Sequence, residues 1–278
     1  IARISAICPW KNLRLSAAKG FWPGFTTSAN NTMTPQEIEA RMDLTAALRS
    51  ASRLSLGEGI CNHFSLALPG APGHFLINPQ GLHWSEITPG DLVVVDAQGR
   101  KLSGKHSVEP TAFFIHSAIH RGRANAACVM HTHMPHATAL TAIQGGRLEW
   151  ASQNALKFYN RCAYDEQYNG LALDEAEGER MCARMKEADV LFLGNHGILV
   201  CGPTVHATFD DLYYLERACM LQVLAMGTGK PLRLVSEAVA EKTGRQMNEE
   251  SIQAQLHLAA LKRLLDRDEP GWSRLDLI

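Results

Sequence analysis

The seven cysteines of this chain, at positions 8, 61, 128, 162, 182, 201 and 219, include no C-x-x-C pair and are odd in number. That excludes a disulfide framework and a cysteine-built structural zinc site, and it fits reduced thiols in a cytoplasmic protein. There is no apolar run of about 18 residues, so no spanning helix is expected. Neither charge sign is in surplus: Lys plus Arg number 27 and Asp plus Glu 28, for a net charge of −1. A nearly neutral chain gives no general reason to expect nucleic acid or an anionic membrane as partner. No internal repeat or low-complexity tract is present. Acidic residues are missing altogether from residues 1–33, which carry Arg3, Lys11, Arg14 and Lys19; the first acid is Glu37. Such a segment has the look of a cleaved leader. A disordered tail or an over-long reading frame is the plainer and favoured reading, because Met33 stands directly before a strong helix start. The fold argument therefore begins at residue 34.

What remains is ordinary for a globular chain, with 278 residues, 46% of them hydrophobic and 20% charged. Length allows one or two domains. Thr34-Pro35-Gln36-Glu37 reads as a capping box with proline at the first helical position. Ala40, Leu44, Ala47, Leu48 and Ala51 then recur at helical spacing as far as about Leu54. Short strands are expected at Phe64–Leu68, His74–Ile77 and Leu92–Asp96, separated by Pro/Gly turn signals. A helix is expected over 110–121, a strand over 126–133, a helix over Asp174–Lys186, a strand over 189–201 and a long helix over Thr204–Met226. Another helix is expected near Glu249–Leu265, and 134–170 is of mixed character. A cluster of strands with helices alternating around them indicates one α/β domain with a central sheet covered on both faces.

The strongest chemical signal is His131-Thr132-His133 at the end of the apolar run Ala126–Met130. Positions i and i+2 of a strand share a face, so two imidazoles there can close on one metal ion. Taken alone the pair is as readily packed or hydrogen-bonded as ligating. His196 changes the balance: it interrupts a second strand-like stretch, Val190–Val200, between Asn195 and Gly197, where the backbone is free to approach closely. Three neutral imidazoles leave a fourth position open for water or substrate, as in catalytic rather than structural zinc. Glu109 lies in Gly104–Pro110, a loop running into a helix start. Its plain reading is a helix-start acid; beside three histidines it becomes a candidate proton carrier. The loop's free N–H groups could hold an anionic substrate group.

The other candidates are weaker. His116 and His120, four apart on one helix, could pair as ligands but more simply form a partly buried face. His136 follows the histidine pair and would lie beside it. His63 and His83 sit near loops where either could touch substrate. Tyr213 and Tyr214 are simplest as core. Tyr159, Tyr164 and Tyr168 fall in the irregular region, where a tyrosine could act as an acid toward a neighbouring subunit's site.

Together, Asn62-His63-Phe64-Ser65, the stretch Phe75–Asp96 with its Pro-x-Gly turn, Ser107 and Glu109 before a helix, His131-Thr132-His133, and Asn195-His196-Gly197 ahead of a long helix containing Leu215-Glu216 resemble the class II aldolase/adducin family over about residues 35–230. That family includes aldolases acting on fuculose and rhamnulose phosphates and ribulose-phosphate 4-epimerase. The resemblance implies a three-layer αβα sandwich with a central, mainly antiparallel sheet, usually assembled as a homotetramer with sites between subunits. It implies a domain over 34–230 and a helical extension over 231–278 packed on it. His131, His133 and His196 would bind zinc, or another divalent ion such as manganese, cobalt or iron. Glu109 would be the acid/base residue, and Asn62, Gly81 and Ser107 would contact a small-molecule substrate. The implied activity is that of a carbon–carbon lyase working through a metal-stabilised enediolate, by aldol, decarboxylation or epimerisation chemistry. One departure concerns the substrate: Ser107 is followed by Val108 rather than a second serine, and the turn is Gln80-Gly81 rather than Thr-Gly or Ser-Gly. A pocket with fewer hydroxyl donors points away from phosphate, or toward a carboxylate in its place. Two alternatives stay open: a non-haem iron oxygenase, and an adducin-like interaction domain without catalysis, against which the full set of histidines argues.

Overall fold

The computed structural model describes residues 33–250 and 252–275. The reading of 1–33 as a leader or tail lies, apart from Met33, outside the described residues. Helix α1 (Pro35–Arg53) opens on the Thr34 hydroxyl, which accepts from the Glu37 N–H at 3.1 Å. Strands β1 (His63–Ala67), β2 (His74–Ile77), β3 (Val93–Asp96) and β4 (Lys101–Ser103) follow as a meander. Helix α2 (Pro110–Gly122) then leads into β5 (Cys128–Thr132). The segment of mixed character resolves into α3 (Pro135–Thr141), α4 (Gln153–Leu156) and β6 (Cys162–Asp165). After α5 (Glu175–Met185) come β7 (Val190–Leu193) and β8 (Gly197–Gly202), then the 22-residue α6 (Val205–Met226). The chain closes with α7 (Glu237–Glu249) and α8 (Ile252–Asp268).

The eight strands form one sheet in the order β4-β3-β2-β1-β5-β8-β7-β6, antiparallel throughout except for the β6–β7 pair. Alternation along each strand divides the core. Cys128 and Met130 of β5 join Phe64, Leu76, Ile198 and Val200 against α1, α3, α6 and α8, while Val129 joins Leu191, Leu193 and Leu199 against Ile115, Ile119, Met181 and Met185 of α2 and α5. Each large side chain so buried contributes on the order of 2 kcal/mol. The result is the expected three-layer sandwich with a mainly antiparallel sheet. No helix among the described residues is long and apolar enough to cross a membrane.

Two expectations are corrected. The stretch 189–201 is a hairpin, not one strand: Asn195 takes a left-handed φ of 56°, and Leu193 pairs with Gly197 across the turn. Asparagine tolerates that conformation better than most side chains, and apolar residues on both flanks hide the break from a periodicity reading. The tail holds two helices, α7 and α8, rather than one; α8 supplies Leu258 and Leu265 to the core shared with α1 and α6.

Candidate metal centre

Strand pairing places His131 beside His63 of β1 and Leu199 of β8, with Thr132 beside Ile198, at the end of β5 where the β7–β8 turn arrives. His196 lies in that turn, which is tied down by Asn195 N–H donating to the Thr141 carbonyl at 3.0 Å. The result is a cluster in which one nitrogen from each of His131, His133 and His196 lies within 4.8 Å of the others. Their ring centroids are 4.8–5.0 Å apart. Gly197 makes this approach possible: a Cβ there would stand 2.6 Å from both the Thr132 carbonyl oxygen and the His133 ring.

The tautomers follow from the hydrogen bonds. His131 Nδ1 lies 3.0 Å from the Ile198 carbonyl, an acceptor only, so Nδ1 carries the proton. His133 Nδ1 lies 2.6 Å from Glu58 Oε2, so it too donates. In the uncharged form of both rings the two Nε2 atoms are bare, and they face each other at 3.2 Å. Two lone pairs at that distance repel unless a cation lies between them, and a tetrahedral ion with bonds of about 2.0–2.1 Å sets its nitrogens about 3.3 Å apart. Burial, reinforced by the neighbouring His196, His63 and His133, holds His131 well below its usual pKa. Burial and His133 lower His196 to about 4, against a small opposing pull from Glu177. Uncharged imidazoles are the form that ligates. On donor chemistry and spacing alike, the three residues fit a divalent ion.

The surroundings brace this set. Asn62 Oδ1 accepts from His133 N–H at 3.2 Å and from Glu58 N–H at 2.8 Å, pinning the two backbones together. Asn62 Nδ2 is buried with no partner among the described residues. Just past the cluster, Glu216 of α6 takes His136 N–H and Nδ1 on Oε1 at 3.0 and 2.7 Å, and Ala137 N–H on Oε2 at 2.9 Å, so it caps α3. The Tyr168 ring lies 6.3 Å from that of His196, whereas Tyr164 is turned into the fold, its hydroxyl accepting from Leu148 N–H at 3.2 Å. His83 pairs with Ser85.

Glu109 stands apart from the cluster. It is the N-cap of α2, and its Oε2 accepts from Ala112 N–H at 2.9 Å and from the Thr111 hydroxyl. Helix α2 runs from the histidine end of the sheet toward the start of β5, since His116 meets His63 whereas His120, one turn on, meets the Ala126 carbonyl. Glu109 therefore sits at the histidine end of α2, about 10 Å along the axis from His116. The Ser107 carbonyl accepts from Gln80 N–H at 2.8 Å, which brings the exposed Gly81 turn beside the exposed Ser107.

Sequence reasoning passed over Glu58, the acid that does touch the cluster. It follows α1 in a loop between Gly57 and Gly59 and has no periodicity to mark it; only its place four residues before Asn62 connects it to a motif. Removing a carboxylate that orients a ligating histidine costs 10–100-fold in metal affinity. Because Glu58 is largely exposed, Glu58→Gln is expected to weaken zinc binding by about tenfold, at the lower end of that range. Competition with a chromophoric chelator measures this; unchanged affinity would show that His133 needs no such orientation.

Comparisons with known proteins agree with the fold. The family model described as Class II Aldolase and Adducin N-terminal domain matches residues 42–223. An aldolase II superfamily protein from Pseudomonas syringae superposes with a TM-score of 0.82 at 35% identity, covering 88% of this chain and 98% of that one. Decarboxylase NovR of Streptomyces niveus is 31% identical over 78% of this chain and 82% of its own length. A 4-hydroxy-3-prenylphenylpyruvate oxygenase/4-hydroxy-3-prenylbenzoate synthase of Streptomyces roseochromogenus is 30% identical over 72% of this chain and 73% of its own. The chain belongs to the class II aldolase/adducin family.

Proposed function

We propose that this protein is a divalent-metal-dependent lyase that makes or breaks a carbon–carbon bond beside a hydroxy-carbonyl or hydroxy-acid group, in aldol, retro-aldol, decarboxylation or epimerisation chemistry. The observation that carries this reading is the pair of Nε2 atoms of His131 and His133 facing each other at 3.2 Å, with His196 completing the set. Zinc suits three imidazoles and an open position; manganese, cobalt or iron could occupy the same donors. Bound there, the ion would supply Lewis acidity toward a carbonyl oxygen.

The chain's own groups divide the remaining tasks. Glu58 is spent on His133, so proton transfer falls to Glu109, whose Oε1 takes no part in the cap. Asn62, Gly81 and Ser107 shape the substrate end. The α2 N-terminus and the Ser107 hydroxyl offer donors to an anionic substrate group. A homo-oligomer, tetrameric as is usual in the family, in the cytoplasm completes the reading.

The test is a screen of the zinc-loaded protein against small hydroxy-aldehydes and hydroxy-acids, followed by Glu109→Gln on the best substrate. The expected result is a fall in kcat of roughly 100-fold or more with metal content unchanged. Full turnover in that variant would remove Glu109 from the mechanism. The likeness to the prenylphenylpyruvate oxygenase supports a second reading, an iron oxygenase. Dioxygen consumption by the iron-loaded protein, with none of the lyase products, would establish it. A folded chain that takes up no metal would instead favour the adducin-like interaction domain.

A further inference from the structure

A line of buried polar groups leaves the metal centre between the sheet and α2, and the lyase reading does not use it. His63 and Ser65 project from β1 on the face that carries His131; His63 is 3% exposed, and Ser65 and His116 are fully buried. His63 Nδ1 lies 2.7 Å from His116 Nε2, His116 Nδ1 lies 2.5 Å from Ser65 Oγ, and Ser65 Oγ lies 2.7 Å from His120 Nε2. The line ends where His120 Nδ1 meets the Ala126 carbonyl at 2.9 Å.

That last contact sets the direction of all the others. A carbonyl only accepts, so the His120 proton is on Nδ1. Burial keeps His120 neutral, lowered to about 4, and keeps His116 well below its usual range with help from His63 and His120. The bare His120 Nε2 must therefore accept the single Ser65 hydroxyl proton. Ser65 Oγ must then accept from His116 Nδ1–H, and the bare His116 Nε2 must accept from His63 Nδ1–H. The remaining His63 nitrogen, Nε2, is left with a lone pair. It makes no hydrogen bond with the described residues. The His63 ring lies 4.8 Å from the His131 ring, yet its nitrogens do not join the converging set of three. His63 thus stands beside an ion held by the triad rather than on it.

We propose that His63 is a substrate-contacting residue whose Nε2 accepts a hydrogen bond from a hydroxyl of the substrate, and that His116, Ser65 and His120 are positioning residues holding it in the accepting tautomer by way of the Ala126 carbonyl. The proposal rests on the lyase reading for the kind of molecule that approaches His63. It narrows that molecule to one bearing a donor hydroxyl next to its metal-binding oxygen. A site that accepts a hydroxyl proton discriminates against an analogue lacking it.

Long-range 15N–1H NMR spectra of the uniformly labelled protein, metal-free and zinc-loaded, report the tautomer directly. The expected result is a proton on Nδ1 of His63, His116 and His120 in both forms; a proton on His63 Nε2 overturns the proposal. The binding arm uses glycolate and methoxyacetate on the zinc-loaded protein, since the second keeps the oxygen but has no proton to donate. Ser65→Ala, which cuts the line without touching the triad, is expected to make His63 a mixture of tautomers. It should reduce the preference for glycolate over methoxyacetate by about fivefold with zinc content unchanged, the worth of one hydrogen bond. An unchanged preference overturns the contact role. Should the protein bind no zinc at all, the lyase reading fails, and the metal-free tautomer still decides whether the line holds His63 as an acceptor.

Discussion

His131→Ala is expected to purify with less than a tenth of the zinc, manganese, cobalt or iron retained by the unchanged protein, as read by elemental mass spectrometry. The argument is one of position. His131 is the buried member of the triad, its Nδ1 is fixed by the Ile198 carbonyl, and its Nε2 is the atom that His133 faces at 3.2 Å. Alanine leaves two half-buried imidazoles, one on a strand end and one on a turn, and two neutral nitrogens hold a divalent ion far less firmly than three. The substitution also opens a small cavity and removes the hydrogen bond to the Ile198 carbonyl, the bond alone contributing about 0.5–1.5 kcal/mol, so the melting temperature is measured alongside. His83→Ala, on an exposed loop, is the control and is expected to keep its metal. A folded His131→Ala protein with undiminished metal would show that the ion sits elsewhere.

The legible part of this molecule was the part with a period or a spacing. The α1 capping box, the apolar face of α2 and the histidine pair two apart at the end of β5 each carry a local signal, and each led to the element or cluster later found. The α2 helix, for example, ends one residue beyond the expected 121. What escaped was set by the third dimension. The Asn195 turn lies within an apolar run that reads as continuous strand. Glu58 reaches His133 across 75 residues. His116 and His120 read as a partly buried face of a helix, and His116 is fully buried while His120 is partly so; no spacing along α2 could show that Ser65, on another element, bonds to both. Glu109 shows the reverse case: the plain reading, a helix-start acid, is visible in its hydrogen bonds, while its chemical role depends on a substrate it has yet to meet.

Gly197→Ala is expected to damage stability and metal binding together, because one missing Cβ makes room for both. The added methyl would lie 2.6 Å from the Thr132 carbonyl oxygen, 2.6 Å from the His133 ring and 3.4 Å from the His131 ring. The first neighbour is backbone at the end of the β5–β8 pairing and cannot swing aside, so the strands must part at the point where Thr132 meets Ile198. Overpacking of this kind costs about 1–3 kcal/mol. In a unit of this size that lowers Tm by about 2–4 °C per kcal/mol. The second neighbour is a ligand ring, and turning it moves Nε2 out of line with that of His131, so metal affinity is expected to fall at least tenfold, as it does when a ligand loses its orientation. Gly227→Ala separates this effect from a general cost of replacing glycine: its φ is −59°, its added methyl would meet only ordinary contacts at 3.4 and 3.5 Å, and it is expected to be neutral to within about 0.5 kcal/mol. If Gly197→Ala melts like Gly227→Ala and keeps its metal, the close approach of β8 to the two histidines is not what holds the site together. If it loses metal at an unchanged Tm, the His133 ring yields before the strands do, and the triad is the softer of the two structures that meet there.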